Sequence, residues 1–216
     1  MVTTAVVDVA ERDDIYAWAE GSVEDHGAMN LVVNNAGVNL RATAQSQSIA
    51  DVEWVMDANF WGVVNGTQAF LPHLKASGNG HVVNISSVFG LLGIPSQSAY
   101  NAAKFAVRGY TDSLRMELEL EGAPVSATTI HPGGVKTNIV RNGRSPNQAA
   151  AAERFEKVAR TTPEKAAQQI LTAVERNRRR ALIGPDAVIF DAASRLPAAI
   201  SDRLVMRAAR HYLRDL

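Results

Sequence analysis

Three residues in the middle of the chain have the types and the spacing for proton-coupled chemistry. Tyr100 and Lys104 stand four positions apart in SAYNAAKFAV, a segment of helical character, so their side chains share one helix face. Ser87 lies thirteen positions before Tyr100, where an apolar run, HVVNIS, leads into a glycine-bearing loop. A tyrosine hydroxyl titrates near pH ~10, too high for a base at neutral pH, and lowering it by about three pH units costs ~4 kcal/mol. An ammonium about 4 Å away supplies about that much at an effective dielectric of ~20. The pair can then give and take a proton near neutrality. The serine hydroxyl can donate to a substrate oxygen as charge develops on it. A Y-x-x-x-K pair alone is common on solvated helix faces. The serine at this spacing, in a strand–loop–helix setting, is what gives the pair weight.

The elements that must position these side chains are legible in outline. Val2–Val9 (VTTAVVDV) is short and β-branched and reads as a strand ended by Asp8. Residues 11–26 carry Ile15, Trp18, Ala19 and Val23 at helical spacing. Asn30–Asn34 (NLVVN) is too short for a helix and reads as a strand buried on both faces. It ends in NNAG, where Gly37 allows close backbone approach. Ser48 with Asp51 resembles a capping box opening a helix to about Lys75. Asn59 falls inside that helix, where asparagine competes for backbone hydrogen bonds and is either a tolerated polar residue or a placed one. His81–Ser86 is a strand, residues 99–121 a helix, and Pro124–Ile130 another strand running into His131-Pro-Gly-Gly-Val-Lys-Thr137. Thr162-Pro163-Glu164 is a helix start. The run Arg176–Arg180 reads as a solvated helix end, Ala181–Gly184 as a short strand, and residues 200–216 as an amphipathic helix basic on its polar face.

Strands alternating with helices predict an α/β fold with a parallel, doubly wound, Rossmann-like sheet in a single domain spanning residues 1–216. The motifs then add something more specific. ISS followed by YNAAK, NNAG at Asn34–Gly37, the asparagine of DANFWG and HPGGVKT at His131–Thr137 resemble, in order and spacing, the short-chain dehydrogenase/reductase family. The resemblance runs from Val2 to about residue 190.

The resemblance implies an NAD(P)-dependent oxidoreductase interconverting an alcohol and a carbonyl by hydride transfer. Tyr100 is then the acid/base, Lys104 lowers its pKa and binds the nicotinamide ribose, and Ser87 holds the carbonyl oxygen. Asn59 distorts its helix and holds a water of a proton relay from the lysine. It also implies that Asp8, Val9, Asn35, Ala36, Gly37, Pro132, Gly133, Val135 and Thr137 face the cofactor, together with Tyr100 and Lys104. Asp8 and Val9 lie on the adenine side, and Val135 and Thr137 at the carboxamide. His131 is expected to pack at a strand end rather than to act as a base. Residues 141–160, polar, alanine-rich and mobile-looking, correspond to a substrate lid. Phe89, Leu91, Leu92 and Ile94 suggest an apolar substrate, although they can equally be core.

One part of the family pattern has no counterpart before Asp8. Dinucleotide-binding folds carry a glycine-rich turn after their first strand, which receives the pyrophosphate at a helix N-terminus. No T-G-x-x-x-G-x-G occurs here. The expectation is therefore a sheet without its first two strands, from an internal start at Met1 or a truncated relative, and without the residue that selects NAD or NADP. The alternative to an enzyme is a non-catalytic remnant serving as a dimerising subunit.

Composition bounds the rest. The 216 residues are 46% hydrophobic and 20% charged, with 22 basic and 22 acidic side chains. This balance points to no nucleic-acid partner. There is no cysteine, so disulfides and thiolate metal sites are excluded and no metal is expected. No apolar run approaches the ~20 residues of a membrane span, and no leader is evident, so a cytoplasmic protein is expected. Phe60, Trp61, Phe70, Phe105 and Val107 exceed what one sheet face needs and predict a homodimer or homotetramer through the two long helices.

Overall fold

A computed structural model of the chain describes residues 1–212. Four parallel strands, β1 (Leu31–Asn34), β2 (Gly80–Ile85), β3 (Val125–Pro132) and β4 (Arg180–Ile183), form one sheet in sequence order. Val32 pairs with Val82, Val83 with Thr128, and Ile130 with Ala181. Parallel neighbours require crossovers, and helices supply them. The helices are α1 (Arg12–His26), α2 (Ile49–Met56), α3 (Gly62–Ala76), α4 (Ser98–Leu120), α5 (Gln148–Val158), α6 (Pro163–Glu175), α7 (Pro185–Ser194) and α8 (Ala198–Tyr212), of which α2 to α6 lie in the crossovers. The last four residues of the expected C-terminal helix, 213–216, lie outside the described part.

Each face of the sheet has its own core. On one face Ile15 and Ala19 of α1, Phe70 and Leu74 of α3 and Leu114 and Leu118 of α4 pack on Val32, Val82 and Ala127. On the other, Ala166 and Ala173 of α6 pack on Val83, Ile130 and Ile183. This is the doubly wound arrangement expected. A third cluster joins Val55 of α2 to Ala99 and Ala103 of α4 and to Leu40. It seats the start of α4, and so the tyrosine helix, against the loop after β1.

The first expected strand does not form. Residues 1–8 make no strand pairing, and Val2 and Val6 stand open to solvent. A strand is held by a ladder partner, and none adjoins this stretch. Its anchorage is by side chains instead: Val7 and Val9 lie against the α1/α3 core, and Asn65 Nδ2 donates to the Val9 carbonyl at 3.3 Å. For a related reason β1 is not buried on both faces. Val32 is buried, but Leu31 and Val33 are 37% and 41% exposed, because α6 covers β2–β4 and does not reach β1.

Local signals held where they were local. Ser48 Oγ accepts the Asp51 N–H at 3.0 Å and donates to the Asp51 carboxylate at 2.8 Å. Thr162 Oγ1 accepts the Lys165 N–H at 3.3 Å at the start of α6. Other readings needed the fold. The stretch 141–160, expected as polar, alanine-rich and mobile-looking, contains α5, capped by Asn147. α7 was not foreseen, although Gly184-Pro185 punctuates its start. In the arginine run, Arg179 pairs with Glu119, and Arg180 opens β4 and pairs with Asp191 at 2.9 Å. Of the five residues expected on a subunit interface, Phe70 and Val107 are core. Phe70 sits edge-on to Trp18 at 5.2 Å. Trp61 and Phe105 remain exposed, joined by Met116. No helix among the described residues is long and apolar enough to cross a membrane.

Candidate active site

The loop leaving β1, the bend between α2 and α3, the loop after β2 and the first turns of α4 converge at the C-terminal ends of the strands. That is where open α/β sheets bind ligands. Asn34, at the end of β1, donates through Nδ2 to Asn84 Oδ1 at 2.8 Å and to Thr67 Oγ1 at 3.1 Å. Asn84 passes the network on to Thr111 at 3.0 Å. The floor is thus a polar chain from β1 through β2 to α4, half-buried at Asn34 and fully buried at Asn84 and Thr111, which fixes the position of each element relative to the next.

Asn59 is the central residue of a π-helical turn, Asp57–Trp61, between α2 and α3. Such turns are rare and gather at functional sites. Its side chain is fully buried and holds both backbone groups of one residue: Oδ1 accepts the Val38 N–H at 2.8 Å and Nδ2 donates to the Val38 carbonyl at 2.9 Å. Asparagine suits the place because its amide carries an acceptor and a donor side by side, matching the N–H and C=O of one extended residue. Gly37 must come close for this to happen. A Cβ at position 37 would stand 2.6 Å from Asn59 Oδ1 and 3.6 Å from Lys104 Nζ. Gly37, Asn59 and Lys104 are therefore one cluster, assembled from three segments far apart in sequence.

Tyr100, Lys104 and Ser87 are all buried, at 7%, 3% and 8% exposure. Lys104 Nζ donates to the Ile85 carbonyl at 3.0 Å and lies 5.7 Å from the centre of the Tyr100 ring. Ser86 Oγ donates to the Lys104 carbonyl at 2.7 Å, joining the end of β2 to α4. Ser87 caps the short 3₁₀ turn Val88–Gly90, accepting the Phe89 N–H at 3.1 Å. Burial pushes the Tyr100 hydroxyl up to about 12, opposed by its hydrogen bond with Ser87. Burial also pulls the Lys104 ammonium down to about 8. Both shifts come from desolvation of the charged form, so the site holds a neutral phenol and an easily deprotonated amine. The ammonium lies over the ring whose hydroxyl would carry the proton, and the Ile85 carbonyl holds it there.

His131 is wholly buried, and its Nδ1 lies 2.8 Å from the carbonyl of Ser87. A carbonyl only accepts, so Nδ1 carries the proton and donates. Desolvation holds this imidazole down at about 4, with the Ser87 carbonyl opposing. It is neutral at pH 7 and, as expected, no base. The sequence did not reveal that it tethers the serine's backbone. The one available signal was a histidine preceding Pro-Gly-Gly at a strand end.

The expected cofactor residues divide into three groups. Val9, Asn35 and Ala36 line a cleft of about 540 Å³ beside the open edge of β1, with Gly62 and Gly66 in its wall. The Val9 side chain presses on Gly62, where a Cβ would meet it at 2.8 Å. Asp8 is exposed beside this cleft and turns the chain into α1, accepting the Ala10 N–H at 3.0 Å. Gly37 belongs to the Lys104 cluster. Pro132 and Gly133 end β3, Val135 bridges to Thr161, and Thr137 lines a second cleft of about 440 Å³ with Lys136 and Phe155 of α5.

Comparison with known proteins identifies the lineage. The family model described as short chain dehydrogenase matches residues 1–148. The chain belongs to the short-chain dehydrogenase/reductase family. SadH of Mycobacterium tuberculosis, which carries the name of an oxidoreductase, is 45% identical over 203 residues, covering 92% of this chain and 74% of that protein. YxnA of Bacillus subtilis, also named an oxidoreductase, is 36% identical over 94% of this chain and 57% of its own length. Among solved structures, a short-chain dehydrogenase/reductase of Burkholderia phymatum in complex with NAD superposes with a TM-score of 0.83 at 27% identity, covering 89% of this chain and 74% of that one. Levodione reductase gives 0.75 at 29% identity, with 87% and 78% covered. By family, then, the chain is an oxidoreductase, and the fold reading stands.

Proposed function

We propose that the protein is an NAD(P)-dependent oxidoreductase that interconverts a secondary alcohol or similar apolar alcohol with its carbonyl. The observation that carries this reading is the cluster of Ser87, Tyr100 and Lys104 with Gly37 and the Asn59 turn. Solved relatives bound to NAD or NADP support the cofactor class. The residues present fit a nicotinamide nucleotide on the side of the reacting ring. Lys104 and the Asn35–Gly37 backbone would face the ribose, and Pro132, Gly133, Val135 and Thr137 the carboxamide. Bound there, the group supplies or takes the hydride.

The chain's own part is proton and charge management. Ser87 Oγ donates to the substrate oxygen, which lies between it and the Tyr100 hydroxyl. The phenol delivers its proton as the oxygen becomes an alkoxide, and takes it back in oxidation. A phenolate forming at Tyr100 is stabilised by the Lys104 ammonium, which favours the charged state that burial opposes. Asn59 works through Val38: by fixing both backbone groups of that residue it holds the Gly37 turn against the lysine. Leu91 is buried, Phe89, Leu92 and Ile94 are half-buried, and Phe89 lies beside Tyr100, which favours an apolar substrate body. The segment 141–160 with α5 serves as the lid over it.

The test is reduction of a panel of apolar ketones by NADH and NADPH, using the chain extended with the first strand and glycine-rich turn of a family member. Tyr100→Phe removes one hydroxyl and should cut kcat by at least ~10³-fold with the fold intact by circular dichroism. More than a few per cent residual turnover would refute the assignment.

A further inference from the structure

α7 reaches both halves of the site from one face. Asp186, in its first turn, accepts the Gly134 N–H through Oδ2 at 2.6 Å. One helical turn further, Phe190 sets its ring 6.1 Å from that of Phe89, and the Phe89 ring lies 6.1 Å from that of Tyr100 in an edge-on arrangement. Residues four apart on a helix lie above one another. One edge of α7 therefore touches the Pro132–Thr137 loop at one level and the loop behind Ser87 at the next.

The surroundings are shaped to this carboxylate. A Cβ on Gly133 would collide with it. Gly184, which takes the left-handed φ of 90°, would place a Cβ 2.9 Å from Asp186 Oδ1. Gly133 thus gives up a side chain to let the group in, while Gly184 is glycine for its backbone and also clears Thr161. The second oxygen, Oδ1, is buried without a hydrogen-bond partner. An orphaned buried acceptor is costly, so a carboxylate is tolerated here for what Oδ2 does. The loop is otherwise held by backbone alone: the Gly133 N–H donates to the Ile183 carbonyl, the Gly134 carbonyl accepts from Arg160 and Thr161, and the Lys136 N–H donates to Thr161, which leaves the Gly134 N–H to Asp186.

We propose that α7 keeps the two halves of the site in register. In this arrangement Asp186 is a positioning residue for the cofactor-facing loop and Phe190 one for the serine loop. The proposal rests on the functional reading above, but its test needs no turnover. Amide hydrogen exchange is measured residue by residue by NMR on the 216-residue chain. Loss of a hydrogen bond to a charged acceptor should speed exchange of the Gly134 amide roughly 10- to 100-fold in Asp186→Ala, with β2 and α4 unchanged. Asp186→Asn, which keeps an acceptor, should restore most of the protection. Gly133→Ala, which displaces the carboxylate without removing it, should reproduce the acceleration. Phe190→Ala should speed exchange at Phe89–Leu91 and leave Gly134 alone. Unchanged Gly134 exchange in Asp186→Ala or Gly133→Ala, or acceleration spread evenly into β2 and α4, would overturn the proposal. Failure of the ketone assay alone would leave it standing.

Discussion

Acid should destabilise this protein through its buried imidazoles, and the size of His131's share follows from its setting. His131 has a folded-state pKa of about 4 against an ordinary 6.5, chiefly because burial disfavours its charged form. A depressed histidine pKa means that the unfolded chain binds the extra proton first. The stability contributed by keeping the ring neutral is therefore complete above about pH 6.5 and is lost as pH falls through the window down to about 4. The full difference is ~3 kcal/mol at 1.36 kcal/mol per pH unit, and about 2 kcal/mol of it is gone by pH 5. His81, also held down at about 4 by burial, adds to the same slope. The comparison with His131→Gln isolates the residue, since the variant retains His81 but cannot titrate at 131. Urea unfolding of both proteins at pH 7.5, 6, 5 and 4.5 should show wild type losing about 2 kcal/mol more than the variant between pH 7.5 and 5. Parallel pH profiles, differing by less than ~0.5 kcal/mol in that drop, would refute the argument that His131 is buried neutral.

Two further outcomes are expected. A 216-residue polypeptide of this sequence has no glycine-rich turn before Asp8 to meet a pyrophosphate, and Asp8 itself is acidic. Three lost charge-assisted hydrogen bonds cost about 4 kcal/mol or more, ~10³ in affinity. Calorimetry should then give a Kd for NADH or NADPH no tighter than millimolar, and a micromolar value would contradict this. Trp61, Phe105 and Met116 leave apolar surface on α4 and the turn before α3, so light scattering at micromolar concentration should find a dimer or tetramer. A stable monomer would refute the interface.

The part of the molecule that could be read in the residues is the part whose geometry is local. Tyr100 and Lys104 share a face of α4 because helix pitch alone puts positions four apart together, whatever surrounds them. Ser48 caps α2 and Thr162 caps α6 because the groups concerned are three residues apart. Motif order gave the family for a similar reason: it is carried by residue types at fixed spacings. Tertiary structure decided the rest, because burial and pairing depend on neighbours that no window of sequence contains. Val2–Val9 has strand composition and no ladder partner, so it stays unpaired. Val33 has the composition of a buried strand and is 41% exposed, since no helix reaches its face. Phe70 and Phe105 are alike in type, yet one packs against Trp18 and the other faces out. The grip of Asn59 on Val38, the tether from His131 to Ser87 and the reach of Asp186 to Gly134 join residues 21, 44 and 52 positions apart. Contacts at that range exist only once the sheet has brought its strand ends together. The sequence therefore determined which groups are available for chemistry, and the fold determined which of them touch and which are kept from water.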